Sequence, residues 1–276
     1  MSSAWRDHDF QRPRGNMITS PEDRAICETL LRSAEERGYR GKPLSELVLA
    51  AGRHFLGAAY GSDTLEGEGP EELVVNLRVF DCVTFVENAV VLAGLIRSGK
   101  TAFDDYAAAL ERIRYRRGRC DGYASRLHYF TDWLHNNSRK GLVNDITREI
   151  GGVPLRKIFH ALTDRREDHT GLNDPDAFRR LRIIEGICSR RTLSFIPRAH
   201  LGRAEQRLTN GDIIAITTDE RGLDVCHTGL AVRLRGQIRL LHASSAAGRV
   251  VLSEIHLGRY LQTRRSRTGI IVGRAI

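Results

Sequence analysis

The chain has 276 residues, of which 41% are hydrophobic and 28% are charged, a composition typical of soluble globular proteins. A chain of this length can bury a core without disulfides or metals, which excludes fibrous proteins, low-complexity chains and small disulfide scaffolds. Its longest apolar run, residues 89–96, is much shorter than the roughly 20 residues that cross a bilayer. We therefore expect no membrane-spanning segment.

The formal charge is +9 and the isoelectric point is near 9.7, and 39 of the 43 basic residues are arginine. Such a charge suits a polyanionic partner. The basic residues are scattered, however, and no aromatic interleaving, zinc-finger spacing or RNA-binding motif accompanies them. We therefore expect no nucleic-acid partner.

Five cysteines form an odd set without a CxxC pair, which indicates neither a disulfide framework nor a structural zinc site. We expect no metal and no cofactor. Residues 1–19 are polar and are predicted to form a disordered arm, and they lack the apolar stretch of a secretory signal. The rest of the chain, residues 20–276, is predicted to be a single domain. Nothing indicates its oligomeric state.

The N-terminal half has mainly helical spacing. Ser20 and Asp81 each precede a helical pattern and are expected to be N-caps, and Pro21 suits a first helical turn. A glycine-rich loop over residues 57–69 and a short strand over residues 73–75 interrupt the helices. The predicted helices are residues 21–38, 44–58, 80–98, 102–114 and 125–136.

After about residue 190 the pattern changes to strands, and Gly236 marks a hairpin turn. Residues 160–192, rich in Arg and Asp, are predicted to be a helical insertion. Helices followed by an antiparallel sheet are typical of an α+β domain. The predicted strands are residues 193–196, 212–216, 227–234, 238–243, 249–252 and 269–272.

Cys82 is a candidate nucleophile because it follows Asp81 in the first turn of a predicted helix. At this position the unpaired backbone amides and the helix dipole are expected to stabilise a thiolate and lower the pKa of the thiol. The same amides can donate to an oxyanion. A free cysteine is more often buried and inert, so its position alone leaves both interpretations open.

His227 and His242 are the candidate base and its partner. They lie nine and six residues from Gly236, so antiparallel pairing would bring them near each other. A nucleophilic thiol needs a base and a group that fixes the tautomer of that base. Two histidines with purely structural roles would have the same spacing, and that alternative stays open. Because side chains alternate along a strand, Cys226 is expected on the opposite face from His227.

Several segments in chain order resemble the N-acetylmuramoyl-L-alanine amidase-like family, a branch of the NlpC-type, papain-like bacterial cell-wall cysteine hydrolases. They are FDCVTFVE, SRLHYFTDW, GDIIAITT, GLDVCHTGLAV and LLHASS. The resemblance covers residues 44–276. It implies an α+β fold with a papain-like core, in which helices from the N-terminal half pack on a mostly antiparallel sheet from the C-terminal half.

The resemblance assigns the nucleophile to Cys82, the general base to His227 and the orienting group to His242. It also implies that Tyr60 lies near the oxyanion. Further residues are implied in the substrate cleft, each with a structural alternative, such as an ion pair between the arginine and the aspartate: Arg126, His128, Asp132 and Ser244. The roles of Cys120 and Cys226 stay unassigned.

The activity implied is hydrolysis of the bond between the lactyl group of N-acetylmuramic acid and L-alanine in peptidoglycan fragments, including anhydro-muropeptides. A γ-D-glutamyl endopeptidase would use the same three residues, whereas a non-catalytic basic protein binding wall or nucleic acid would use none. Relatives suggest the bacterial cell envelope, and the absence of a visible signal leaves the cytoplasm open. Since the base must be neutral, we expect activity to fall in acid, near the ordinary histidine pKa of about 6.5.

Overall fold

The computed structural model describes Trp5, residues 15–67 and residues 69–276. The arm predicted for residues 1–19 therefore lies mostly outside the described residues. Trp5 is fully buried, and its indole Nε1 donates to the carbonyl of Ile276 at 3.0 Å. Its ring lies against Gly94, where any side chain would collide with it.

The structure has helices α1 to α9 among the described residues, and α1 to α4 lie where the sequence predicts helices. Ser20 caps α1 in a capping box with Asp23, as its local sequence predicts. The predicted helix over 125–136 is wrong at its start. There the backbone of Leu127 donates to the carbonyl of Arg114 at 3.0 Å, so a tertiary hydrogen bond replaces the first helical turn. The helices are Pro21–Glu36, Leu44–His54, Cys82–Ser98, Phe103–Arg114, Phe130–Arg139, Ala161–Asp164, Pro175–Ser189, Leu201–Glu205 and Leu257–Gln262.

The strands form a largely antiparallel sheet in the order β4-β2-β11-β10-β9-β8-β12-β7-β6, and β5 also pairs with β12. A separate parallel pair joins β1 and β3. This arrangement confirms the predicted α+β class. The strands β1 to β12 are Met17–Ile18, Ala59–Tyr60, Leu73–Val74, Val79–Phe80, Val143–Asp145, Val153–Leu155, Leu193–Pro197, Ile213–Thr218, Val225–Leu234, Gln237–Ser244, Arg249–His256 and Arg267–Ala275.

Two hydrophobic clusters cover the central strands. The larger contains most of α3 together with Leu230 and Leu241 from β9 and β10. Gly52 of α2 lies so close to Leu230 that a β-carbon there would collide with it, which brings α2 onto the same cluster. The second cluster contains Leu240 of β10 with Leu257 of α9. The beginning of α3 and the strands β9 and β10 are thereby held in fixed relation.

Residues 160–192 form short helical turns followed by α7. They pack through small clusters of their own: Leu172 and Leu181 lie with Tyr123, and Cys188 lies with Tyr129. In the described part of the chain, no helix is both long and apolar enough to cross a membrane.

Candidate active site

Cys82 is the first residue of α3, as the sequence predicts. The Asp81 carboxylate accepts hydrogen bonds from the amides of Val83 and Thr84, each at 2.7 Å, and the Asp81 carbonyl accepts from Phe85 at 3.1 Å. The predicted N-cap is confirmed. The amide of Cys82, as the first residue of α3, has no acceptor within the helix, so it can donate to an anionic oxygen.

The half-buried Cys82 thiol is neutral in this structure. Burial raises its pKa to about 12 and the neighbouring Asp81 charge adds to the shift, while hydrogen bonds from Thr228 oppose it. The expected lowering of this pKa is therefore wrong. The main reason is desolvation of the sulfur, and the capping carboxylate adds to it by taking up two first-turn amides that would stabilise a thiolate and by bringing a like charge.

Strand β9 is fastened directly to the start of α3. The hydroxyl of Thr228 donates to the carbonyl of Cys82 at 2.6 Å, and Thr228 is fully buried. His227 precedes this anchor by one residue. This hydrogen bond therefore holds the helix start that carries the thiol close to the part of β9 that carries His227.

The structure confirms that His227 and His242 come together. Nε2 of His227 lies 2.6 Å from Nδ1 of His242, and the ring centroids are 4.8 Å apart at 87°. A neutral imidazole carries one N–H. When Nε2 of His227 is the donor, its Nδ1 keeps a lone pair and can accept a proton, while His242 fixes that tautomer.

Both imidazoles are neutral at physiological pH. Burial lowers the pKa of His227 to about 3, with further lowering by His242, Arg267 and Arg264. Burial likewise lowers the pKa of His242 to about 4, with a contribution from Arg267. The expectation that the base titrates near its ordinary pKa is therefore wrong, because the ring is desolvated among positive charges.

Tyr60 lies next to the segment that leads into α3. Strand β2 pairs in parallel with β4, and Tyr60 is in register with Phe80, two residues before Cys82. Burial raises the pKa of the Tyr60 phenol, and the nearby Cys82 and Asp81 raise it further. Tyr60 therefore keeps its proton and has a hydroxyl to donate near the thiol.

A cavity of about 160 Å³ opens beside the histidine pair, and its lining includes His227, Ser244, Tyr260 and Arg267. Cys226 borders the same cavity, so the expectation that it faces away from His227 is wrong. The pairing of β8 with β9 shifts register between Ile216 and Thr217. This β-bulge interrupts the regular alternation of side chains at Cys226.

Tyr260 is a site residue that sequence reasoning missed. Its ring centroid lies 6.2 Å from that of His227 and 5.4 Å from that of His242. It comes from the short helix α9, which the sequence patterns do not predict. Thr228 and Arg267 were also missed, because their roles depend on contacts between distant segments.

Three of the residues implied in the substrate cleft form a separate polar cluster. Buried Arg126 pairs with Glu66 and lies 3.4 Å from a Glu71 oxygen. Its guanidinium also donates to the carbonyl of Leu65 at 2.9 Å. The suggested pair with Asp132 is wrong, since Asp132 pairs with other arginines.

Asp132 binds Arg116 and Arg191. Although burial opposes ionisation, these two arginines lower the pKa of Asp132. Nε2 of His128 donates to the Tyr123 carbonyl at 2.9 Å, and burial lowers the pKa of His128 well below the usual value. The substrate contacts of Arg126, His128 and Asp132 stay predictions.

Ser244 ends β10, where its hydroxyl accepts from the amide of Ala247 at 3.2 Å. It lines the cavity, and its contact with substrate is also still a prediction. Among the residues that the structure describes, no group of three or more His, Cys, Asp or Glu side chains is placed to hold a metal ion.

The fold and this geometry define an α+β protein with a thiol-bearing helix start fastened beside a histidine pair. Residues 50–270 match the family model described as AmiA-like, N-acetylmuramoyl-L-alanine amidase-like. The chain belongs to this family. The match supports a hydrolase of the amidase type that acts on peptidoglycan.

Two similar solved structures share this fold. An N-acetylmuramoyl-L-alanine amidase from Bacteroides uniformis ATCC 8492 is 34% identical, with 84% of this chain and 99% of that chain covered and a TM-score of 0.79. A putative xylanase from Bacteroides fragilis is 38% identical, with coverages of 82% and 99% and a TM-score of 0.76.

A protein from Legionella pneumophila is 20% identical and shares the fold, with coverages of 91% and 95% and a TM-score of 0.69. No curated protein matches the chain.

Proposed function

We propose that the protein is a cysteine amidase with a papain-like (NlpC-type) arrangement, which hydrolyses the bond between the lactyl group of N-acetylmuramic acid and L-alanine in muropeptides. The observation that carries the proposal is the histidine pair, in which Nδ1 of His242 lies 2.6 Å from Nε2 of His227. This leaves Nδ1 as the proton acceptor beside the helix start that bears Cys82. The family match supports this choice of scissile bond.

In the proposed mechanism the resting thiol and imidazole are both neutral. The Cys82 proton passes to Nδ1 of His227 as sulfur attacks the lactyl carbonyl carbon. The carbonyl oxygen becomes an oxyanion that accepts from the Cys82 amide and the Tyr60 hydroxyl. Because the pKa of the thiol is raised and that of the base is lowered, proton transfer accompanies the attack and does not precede it.

Collapse of the tetrahedral intermediate breaks the carbon–nitrogen bond. His227 gives its proton to the departing L-alanine nitrogen, and a muramoyl thioester remains on Cys82. Water then loses a proton to His227 and attacks the thioester. The products are a free lactyl carboxylate, the intact stem peptide and the regenerated thiol.

The cavity gives no support for glycoside hydrolysis of the kind named for the Bacteroides fragilis relative. Glycosidases usually use two carboxylic acid groups across the scissile bond. Among the described residues that line this cavity, Glu220 is the carboxylate, and it pairs with Arg165 at 2.6 Å. A xylo-oligosaccharide therefore serves as a negative-control substrate.

The test is mass spectrometry of muropeptide digests. Wild type, Cys82→Ala and Cys226→Ala are incubated with anhydro- and reducing-end muropeptides and with a sugar-free stem peptide. We expect wild type and Cys226→Ala to release the intact stem peptide, and Cys82→Ala to release none. Cleavage only within the stem would favour the γ-D-glutamyl endopeptidase. Muropeptide binding by every variant without cleavage would favour a non-catalytic protein.

A further inference from the structure

Arg267 is a buried cation beside the histidine pair, with only 9% of its surface exposed. Its Nη1 donates to the carbonyl of Tyr260 at 2.7 Å and to the hydroxyl of Thr263 at 2.6 Å. Its Nε is buried and has no hydrogen-bond partner, and the Cys226 thiol and the Tyr260 hydroxyl also interact with the guanidinium. None of these partners is an acid, and a guanidinium with an unused donor is well suited to binding a carboxylate.

No carboxylate within the described residues lies at ion-pair distance from Arg267. The acid that borders the cavity, Glu220, forms an ion pair with Arg165. Arg264, which is exposed, borders the same cavity and adds a second positive charge. A buried charge without a counter-charge costs free energy, and a bound anion would offset that cost.

Other buried arginines have their counter-charges within the fold. Arg114 lies 2.7 Å from a Glu87 oxygen, and Arg126 lies between two glutamates. Arg267 differs from both in bordering a cavity and in having no acid. The missing partner is therefore expected to come with the ligand.

His227 lines the cavity and Cys82 does not, which puts the cavity on the leaving-group side in the proposed mechanism. In the proposed mechanism His227 protonates the departing amine, so the stem peptide must extend from His227. The Tyr260 ring packs against His227, and the Arg267 guanidinium lies over the same ring, with its Cζ 4.2 Å from the ring centroid. A peptide that leaves His227 along this cavity meets a cation.

We propose that Arg267, assisted by Arg264, binds the free α-carboxylate of the γ-linked D-glutamate at the second position of the stem peptide. This inference rests on the proposed function. The carboxylate lies two residues from the scissile bond, about 7 Å along an extended chain. The enzyme thereby distinguishes fragments with D-glutamate from those in which this carboxylate is an uncharged carboxamide.

The test uses two γ-linked substrates that differ only in this group, N-acetylmuramoyl-L-alanyl-γ-D-glutamyl-L-lysine and the same compound with the α-carboxylate of its D-glutamyl residue replaced by a carboxamide. We expect wild type to favour the acid by about 10- to 100-fold in kcat/KM, the range of one charge-assisted hydrogen-bonding site. Arg267→Gln should remove the preference by raising KM for the acid while changing the amide little. Arg267→Lys should restore part of it.

Arg264→Gln should lower the preference by a smaller factor without touching the bonds that Arg267 makes to α9. Arg265→Gln, an exposed neighbour outside the cavity lining, is the matched control and should leave the preference unchanged. Thermal unfolding identifies any variant that fails to fold. Equal cleavage of acid and amide by wild type, or an equal loss on both substrates in Arg267→Gln, would overturn the inference while leaving the amidase intact.

Calorimetry with Cys82→Ala measures the same preference without turnover. Tighter binding of the acid than of the amide supports the carboxylate site even when no substrate is cleaved, whereas equal affinities contradict it. Absence of cleavage with wild type on both substrates contradicts the proposed function instead, so the two failures are distinguishable.

Discussion

The cluster around Arg126 and Asp132 and the cavity around His227 bury charged and titratable groups in opposite ways. In the cluster, Arg126 has two glutamates and Asp132 has two arginines. At the cavity, His227 is half-buried and neutral, and Arg267 has no acidic partner among the described residues. Buried charges that are compensated hold the fold together, whereas uncompensated ones beside a cavity are available to a ligand. Substitutions in the two regions should therefore affect different properties.

The largest effect on activity is expected at the cavity. His227→Ala removes the proposed base and should lower kcat/KM by about 10³-fold or more. The unfolding temperature should change little, because the variant leaves no charge unpaired. Steady-state kinetics on a muropeptide and thermal unfolding measure the two quantities. His200→Ala, at an exposed histidine, is the control, and equal activity losses in both variants would contradict the assignment.

The largest effect on stability is expected in the cluster. Arg126→Leu leaves Glu66 and Glu71 without their cation, and breaking such a buried pair costs about 3–5 kcal/mol. Denaturant unfolding measures this loss. Arg179→Leu, which breaks an exposed pair with Asp176, should change stability by less than about 1 kcal/mol.

An Arg126→Leu variant as stable as wild type but impaired in KM would reverse this part of the comparison. It would place Arg126 in the substrate cleft, as the family resemblance implies.

A smaller loss of activity is expected at His242. His242→Ala removes the acceptor that fixes the tautomer of His227, and we expect kcat to fall by about 10²-fold. His242→Gln keeps a side-chain oxygen that can accept from Nε2 and should recover part of the rate. Because His242 also lowers the pKa of His227, the acid limb of the pH profile should move to higher pH in the alanine variant. An unchanged limb and an unchanged rate would show that His242 has no positioning role.

The pH dependence of the wild type should be modest through neutrality. With the pKa of His227 lowered to about 3, the base stays neutral and kcat/KM should remain level as pH falls through 6.5. Stability behaves differently, since the unfolded chain takes up protons near pH 6.5 while the buried ring does not. It should therefore decline from about pH 6.5 toward the folded pKa.

Kinetic and unfolding profiles measured on the same preparations test this separation. In His227→Ala the decline in stability with acid should be shallower than in wild type. An activity limb at pH 6.5 in the wild type would mean that His227 is solvated.

The sequence predicts the features that depend on neighbouring residues. Ser20 and Asp81 are recognisable as N-caps, and the hairpin at Gly236 brings His227 to His242. Features that depend on distant contacts are not predictable in this way. Helix α5 begins at Phe130, later than its sequence pattern suggests, because Leu127 bonds to Arg114. The pKa of the Cys82 thiol depends on how deeply α3 is buried against β9.

In the candidate active site, too, some features follow from neighbouring residues and others depend on distant contacts. The resemblance to a family directs attention to Cys82 and to the histidines, which carry recognisable motifs. Arg267 lies in an arginine-rich stretch that has no motif, and what distinguishes it is the lack of an acidic neighbour in space. The β-bulge at Cys226 likewise arises from the register between strands, which side-chain alternation alone does not predict.

The central claim, that Cys82 carries the acyl group of the sugar, is tested most directly by the intact mass of the protein after an acid quench during turnover. We predict an adduct with the mass of the muramoyl group, located by peptide mapping on Cys82 and absent in Cys82→Ala. An adduct of L-alanyl-γ-D-glutamyl mass on Cys82 would assign the endopeptidase reaction. A muramoyl adduct on Cys226, or on any other residue, would contradict the assignment of Cys82 as the nucleophile.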